Sequence, residues 1–318
     1  MSKANGSPWG SRRREERIVV ICQCCGSDKI ESVDGNYYSG DRIRYICHPG
    51  YGGQIVSCGD CGFMFVEYIH PRTVEVFYGL RGKNHDGGVG PGRRQIDSIV
   101  CRGQREIWGA EFPTALTRAL FFSAGRAMHG HLYLKNVAEV HVCELFPSIR
   151  DEMDGQLQVA ALGAGALAGS DLAGTYDLII LSNVFERLPF PRYWLSWCSN
   201  LLKSDGLLAI EMPKMDSRLV SERNFSDEEV NFFTPETLGR LISIEGSFGT
   251  ANSQLGNRPD GRNTIRVLLT NERRKSEPPE YDVDAQELLT ILGKLSFACF
   301  NHAVKVAKKE GQPECASN

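Results

Sequence analysis

No apolar run in this 318-residue chain is long enough to span a bilayer, and the opening stretch MSKANGSPWGSRRREER has no apolar segment of the kind a secretory leader needs. These absences predict a cytoplasmic protein with no membrane partner. An excess of one charge is missing too: 36 Lys+Arg against 39 Asp+Glu leave a net charge of −3, too little to draw the chain toward nucleic acid. The run Arg12-Arg13-Arg14 has no aromatic or second basic cluster near it and reads as a solvated tail. No internal repeat is visible. Glycine is plentiful, yet it is scarce at one telling place. Between a strand and a helix, where a glycine-rich loop would be expected, Ser123-Ala124-Gly125-Arg126-Ala127 supplies a single glycine.

What the chain does have is cysteine, 11 in all, which in a reducing compartment argues against a disulfide framework. Four of them form two Cys-x-x-Cys pairs, Cys22/Cys25 in CQCCGS and Cys58/Cys61 in CGDCGF, each followed by a glycine, Gly26 or Gly62. A tight turn can aim two thiolates at one metal while glycine lets the backbone approach the sulfurs, so two such knuckles make a tetrahedral four-cysteine Zn²⁺ site. Such a site leaves no coordination position open, so the metal is expected to be structural. Cys24, Cys47 and His48 are the alternative ligands. Four buried free cysteines are the bland alternative, which the matched spacing and glycines disfavour. Strand-like residues in GNYYSGDRIRYI fill the gap between the pairs.

The organisation expected is a tail (1–17), a zinc-binding module (18–70), a connecting or lid region (71–115), an α/β core (116–271) and a C-terminal helix with its tail (272–318). GLRGKNHDGGVGPGRR has too many glycines for regular structure, and a helix is expected over RRQIDSIVCRGQREIW. Beyond Pro278-Pro279, Leu288, Leu289, Leu292, Leu295, Phe297 and Phe300 lie mostly on one helical stripe. That helix packs on the core by default and is otherwise the candidate interface for a homodimer or a partner subunit.

In the core, short apolar runs (ALFFSA, AEVHVCE, LQVAAL, YDLIILS, LLAIEMP, TIRVLLT) alternate with helical stretches (PRYWLSWCSNLLK, TPETLGRLISIE). This alternation predicts an α/β fold with a doubly wound, largely parallel sheet, whose ligands bind beyond the carboxyl ends of the strands. Glu144 ends the second of these strands, where a carboxylate can grip ribose hydroxyls, or where it is simply an exposed glutamate. LSNVFERLP brings Asn183, Glu186 and Arg187 to the end of the fourth, and Glu211 stands near the end of the fifth.

YDLIILSNVFERLPFPRYWLSWCSNLLKSDGLLAIEMPKM resembles the middle of class I S-adenosylmethionine-dependent methyltransferases, and NFFTPETLGRLISIEGSFG resembles their next segment. With the N-terminal cysteine module and the Phe77-Tyr78 step, the chain over roughly residues 20–270 resembles the nucleotide-sugar C-methyltransferases, without their further C-terminal domain. The resemblance implies a Rossmann-like core with a small zinc-ribbon-like module, S-adenosyl-L-methionine as cofactor and a small-molecule acceptor. Ser123, Gly125 and Ala127 then fall on the cofactor loop, Glu144 on the ribose and Asn183 beside the cofactor. Glu186 becomes the candidate base. Arg187 stands at the family's histidine, and Tyr78 with the loop 79–95 closes over the acceptor. The chain departs from the family pattern at Ser123 and Ala127, which replace glycines, at Phe121, which replaces an acidic residue, and at Arg187. A protein of this fold that is non-catalytic, or that runs other chemistry in the same crevice, is the alternative. There Arg126 and Arg187 would suit an anion.

Overall fold

A computed structural model describes residues 20–33, 55–66, 116–122, 137–143, 160–162, 172–188, 190–215, 229–257 and 263–272. In chain order the elements are β1 (Ile30–Ser32), β2 (Ile55–Cys58), β3 (Met64–Val66), β4 (Leu116–Phe122), β5 (Val137–Cys143), β6 (Ala160–Leu162) and β7 (Tyr176–Ser182). A 3-10 turn (Phe185–Arg187) follows, then α1 (Pro191–Leu201), β8 (Leu202–Pro213), β9 (Asn231–Phe232), α2 (Pro235–Glu245), β10 (Phe248–Asn257) and β11 (Asn263–Asn271).

Seven strands form one sheet in the order β10-β11-β8-β7-β4-β5-β6. From β8 to β6 the pairings are parallel, while β11 runs antiparallel to both β8 and β10. The chain winds outward from β4 through β5 to β6, then crosses to the other side of β4 for β7 and β8. The order therefore reverses between β4 and β7, and the crevice at their carboxyl ends is where such sheets take ligands. The expected doubly wound, largely parallel sheet is the one observed.

The central strand β7 is apolar over Leu178-Ile179-Ile180-Leu181, all at most 1% exposed, because helices or loops cover both faces of a parallel strand. Helix α1 starts on Pro191 and is buried nearly all round, with Trp194 and Trp197 set against Phe122 at ring distances of 5.2 and 5.6 Å. Helix α2 begins with a reciprocal cap between Thr234 and Thr237, carries Pro235 in its first turn and ends on Gly246 at φ 79°. Its stripe of Leu238, Leu241 and Ile242 faces the core.

The amino ends of the central strands are fastened by polar groups. The Asp177 carboxylate accepts hydrogen bonds from the backbone N–H groups of Thr117 and Arg118, both at 2.8 Å, and from Lys203 Nζ at 2.5 Å. Across β4, β5 and β7, Arg118 donates to Glu139 (2.7 Å), Glu139 meets His141 Nε2 (2.6 Å), and His141 Nδ1 meets the Tyr176 hydroxyl (2.7 Å). Burial pushes the Tyr176 phenol up to about 12, so the hydroxyl keeps its proton.

A second, antiparallel sheet has the order β1-β2-β3-β9. Its first three strands come from the cysteine region and its fourth from the core sequence, since Met64 pairs with Phe232 and Phe65 with Asn231. Cys22, Cys24, Phe63 and Phe65 belong to the same buried cluster as Trp194 and Leu238.

Candidate functional site

The two cysteine turns converge as their spacing predicts. Cys22 and Cys25 occupy the turn ahead of β1, and Cys58 and Cys61 the hairpin between β2 and β3. Gly26 and Gly62 sit at φ 79° and 71°, where a side chain would be strained, and each donates its N–H to the carbonyl of the first cysteine of its pair at 2.8 Å. The four sulfurs lie within 4.8 Å of one another, with Cys22–Cys61 and Cys25–Cys58 both at 3.6 Å. A tetrahedral zinc with Zn–S of about 2.3 Å places its sulfurs about 3.8 Å apart, so the set fits that ion. Burial raises the Cys61 thiol to about 12 and pushes Cys22 up as well. At Cys58 burial acts the same way, but the N–H groups of Cys61 and Asp60 outweigh it and bring the thiol down to about 7. Thiols packed this closely resist ionising together, and a divalent cation at their centre reverses that cost. Cys24 is turned away, its thiol directed at the carbonyl of Thr237 in α2 (3.8 Å). Cys47 and His48 lie outside the described residues.

At the crevice, β7 ends on Ser182 and hands over to Asn183, whose φ of 54° is in the left-handed region that asparagine tolerates better than most residues. Asn183 donates its N–H to the Glu211 carbonyl (2.7 Å) and its Nδ2 to Glu211 Oε1 (3.3 Å). Glu211 in turn receives Arg266 Nε at 2.6 Å, an ion pair with both side chains nearly fully buried. Two residues on from Val184, the 3-10 turn presents Glu186, only 2% exposed, with Arg187 Nε 3.3 Å from its Oε1. The turn is held from the far side, where Val230 N–H donates to the Glu186 carbonyl (2.9 Å) and Asn231 Nδ2 to the Leu188 carbonyl (2.7 Å).

The structure thus brings Asn183, Glu186 and Arg187 to one end of the sheet, at the switch point. Tyr78, Ser123, Gly125, Ala127 and Glu144 lie outside the described residues, as do the loop 79–95, the expected helix over 93–108 and the C-terminal helix. Phe121, where the resemblance implies an acidic residue, is a core residue, 2% exposed.

Comparison with known families adds one further observation. Residues 89–244 match the family model described as a methyltransferase domain. The matched stretch begins ahead of β4 and ends within α2, so it takes in the switch point and the Glu186 turn. No curated protein matches the chain. Among solved structures the chain is similar to 1,6-didemethyltoxoflavin-N1-methyltransferase from Burkholderia thailandensis, crystallised with 1,6-didemethyltoxoflavin and S-adenosylhomocysteine. That likeness has a TM-score of 0.49 at 16% identity and covers 68% of this chain and 98% of that one. It is also similar to a SAM-dependent methyltransferase from Archaeoglobus fulgidus, with a TM-score of 0.44 at 16% identity over 61% of this chain and 100% of the other. Among the described residues no helix is long and apolar enough to cross a membrane.

Sequence reading did not find Asn231, nor the partner of Glu211. Asn231 stands in the stretch that resembles the methyltransferase family, NFFTPETL, but nothing local marks it as the residue that holds the Glu186 turn.

Proposed function

We propose that this chain transfers a methyl group from S-adenosyl-L-methionine to carbon or oxygen of a small molecule, a nucleotide sugar being the class its resemblance favours. The match of residues 89–244 to a methyltransferase domain carries the reading. Asn183 stands at the end of β7 with polar atoms toward the crevice, and the resemblance assigns Gly125 the close backbone approach to the cofactor and Glu144 its ribose. When bound, S-adenosylmethionine supplies an electrophilic methyl carbon on a sulfonium. Glu186 would take the proton from the acceptor's carbon or oxygen, leaving it nucleophilic toward that methyl carbon. Arg187 holds the Glu186 carboxylate in place. Tyr78 covers the acceptor. Cys22, Cys25, Cys58 and Cys61 hold a structural Zn²⁺, with about one zinc per chain expected on metal analysis.

Calorimetric titration with S-adenosylmethionine and S-adenosylhomocysteine tests the cofactor, and the absence of binding at millimolar ligand sinks the reading. Transfer of labelled methyl to a panel of nucleotide sugars and other small hydroxyl and carbon acids tests the chemistry. Glu186→Gln is expected to keep cofactor affinity within about twofold while turnover falls about 10²–10⁴-fold.

A second reading has its own support. Phe121 is packed into the core where the family carries an acidic residue, and the loop 123–127 has one glycine. A chain that binds neither cofactor form, yet binds a carboxylate or phosphate through Arg187, would favour it.

A further inference from the structure

The metal hairpin and the Glu186 turn are joined by an unbroken run of contacts. Cys58 and Cys61 close the turn between β2 and β3, with Cys58 N–H donating to Phe63 O (2.9 Å) and Gly62 N–H to Cys58 O (2.8 Å). Strand β3 then pairs with β9, and beyond the ladder Val66 N–H donates to the Val230 carbonyl (2.9 Å). Val230 passes the link on by donating its own N–H to the Glu186 carbonyl (2.9 Å). The side chains repeat the path. Phe65 stacks on Phe63 (5.6 Å), Phe63 meets Phe233 (5.0 Å), and Phe233 stacks on Phe185 (5.4 Å), the residue before Glu186.

Asn231 is where the two routes meet. Its backbone is paired with Phe65 of the hairpin, while its side chain, buried at 2% exposure, donates Nδ2 to the Leu188 carbonyl just after the turn. Among the described residues the Oδ1 of the same amide has no hydrogen-bond partner. A buried acceptor left unsatisfied is costly, so an aliphatic residue would suit this place better unless the Nδ2 donor is needed.

We infer that Asn231 is a positioning residue through which the four-cysteine hairpin fixes the Glu186–Arg187 turn, so that metal binding sets the order of the candidate catalytic carboxylate. The role assigned to that carboxylate rests on the methyl-transfer reading; the mechanical coupling does not. A turn of three residues has too few internal bonds to hold a buried glutamate in one pose. It needs an outside support, and the hairpin provides one.

Site-resolved amide hydrogen exchange on the full zinc-loaded chain tests this. In Asn231→Leu, which matches the side chain in size without the donor, the amides of Val230, Arg187 and Leu188 are expected to exchange about tenfold faster. The amides of 178–181 in β7 and the zinc content should stay as in the wild type. Asn231→His, which returns an N–H donor at similar reach, is expected to restore protection to within about threefold. Removing zinc with a chelator should reproduce the pattern at 184–188 and 230–232. The inference fails if Asn231→Leu leaves the turn within about twofold of wild type. It fails equally if exchange rises alike through 178–181, or if the effect of zinc removal stays within 20–33 and 55–66. Full turnover in Glu186→Gln would overturn the catalytic assignment and leave the coupling standing, because exchange is read without chemistry.

Discussion

Replacing Arg266 by methionine should strand a charge in the middle of the sheet. Arg266 of β11 stands directly opposite Glu211 of β8 in the antiparallel ladder, and its Nε lies 2.6 Å from Glu211 Oε2. The two side chains are 7% and 1% exposed, so neither solvent nor salt screens the pair appreciably. With arginine gone, Asn183 Nδ2 still donates to the carboxylate at 3.3 Å, a long hydrogen bond. Removing one partner of a buried ion pair costs about 3–5 kcal/mol, most of it the penalty of the carboxylate left behind. At a urea slope of about 2–3 kcal/mol per molar, the unfolding midpoint should fall by about 1–2.5 M. The pair Arg266→Met with Glu211→Leu removes both charges and should recover to within about 1 kcal/mol of the wild type. Equilibrium urea unfolding followed by far-ultraviolet circular dichroism on the three variants and the parent gives the full cycle. A single variant within about 1 kcal/mol of the parent would refute the reasoning. A double variant as unstable as the single would place the cost in lost arginine packing, which also contradicts the stranded-charge account.

Asp177 gives a pH-dependent case. Burial works against its charge, but Lys203 Nζ and the N–H groups of Arg118 and Thr117 outweigh it and hold the carboxyl below its ordinary range. A carboxyl depressed in the folded state stabilises the fold above its unfolded value of about 3.9, and that contribution is lost as the pH falls through the folded value. Asp177→Asn should therefore cost about 1–2 kcal/mol at pH 7, and the gap from wild type should close as unfolding is measured below about pH 4. At Gly206 an added Cβ would lie 3.0 Å from the Tyr176 carbonyl and 3.1 Å from the Lys203 nitrogen, both backbone atoms. Gly206→Ala should accordingly destabilise by about 1–3 kcal/mol in the same urea assay, and a neutral result would show that the β7–β8 start is looser than described.

The elements legible in the sequence are those with a local physical signature. YDLIILS is β7 to the residue, because a strand covered on both faces reads as one apolar run. Pro191, the Thr234 cap and Gly246 mark helix ends by their own backbone chemistry. The cysteine pairs were readable because each half of the site is a four-residue turn with its glycine. Strand β10 was not. FGTANSQLGN is polar and glycine-bearing, and it is a strand because it pairs along its length with β11 at the sheet edge. β8 also begins five residues earlier than its apolar run, since Leu202 pairs with Tyr176 ahead of the irregularity in that ladder. In the site, Glu186 and Asn183 follow a strand end and could be found. Asn231 and Arg266 act on residues 43 and 55 positions away, and no spacing rule reaches that far.

The polar fastenings at the amino ends of β4, β5 and β7 have a consequence for divergence. Asp177 and the run from Arg118 to Tyr176 tie those strands together at the end opposite the crevice. These contacts are separate from those that Asn183 makes with Glu211 at the carboxyl end of β7. Substitutions at Arg118 or Asp177 are therefore expected to loosen the strand starts while leaving the Asn183–Arg187 segment at the other end in place. The fold thus keeps the groups that align its strand starts apart from Asn183, Glu186 and Arg187, so change at one end need not disturb the other.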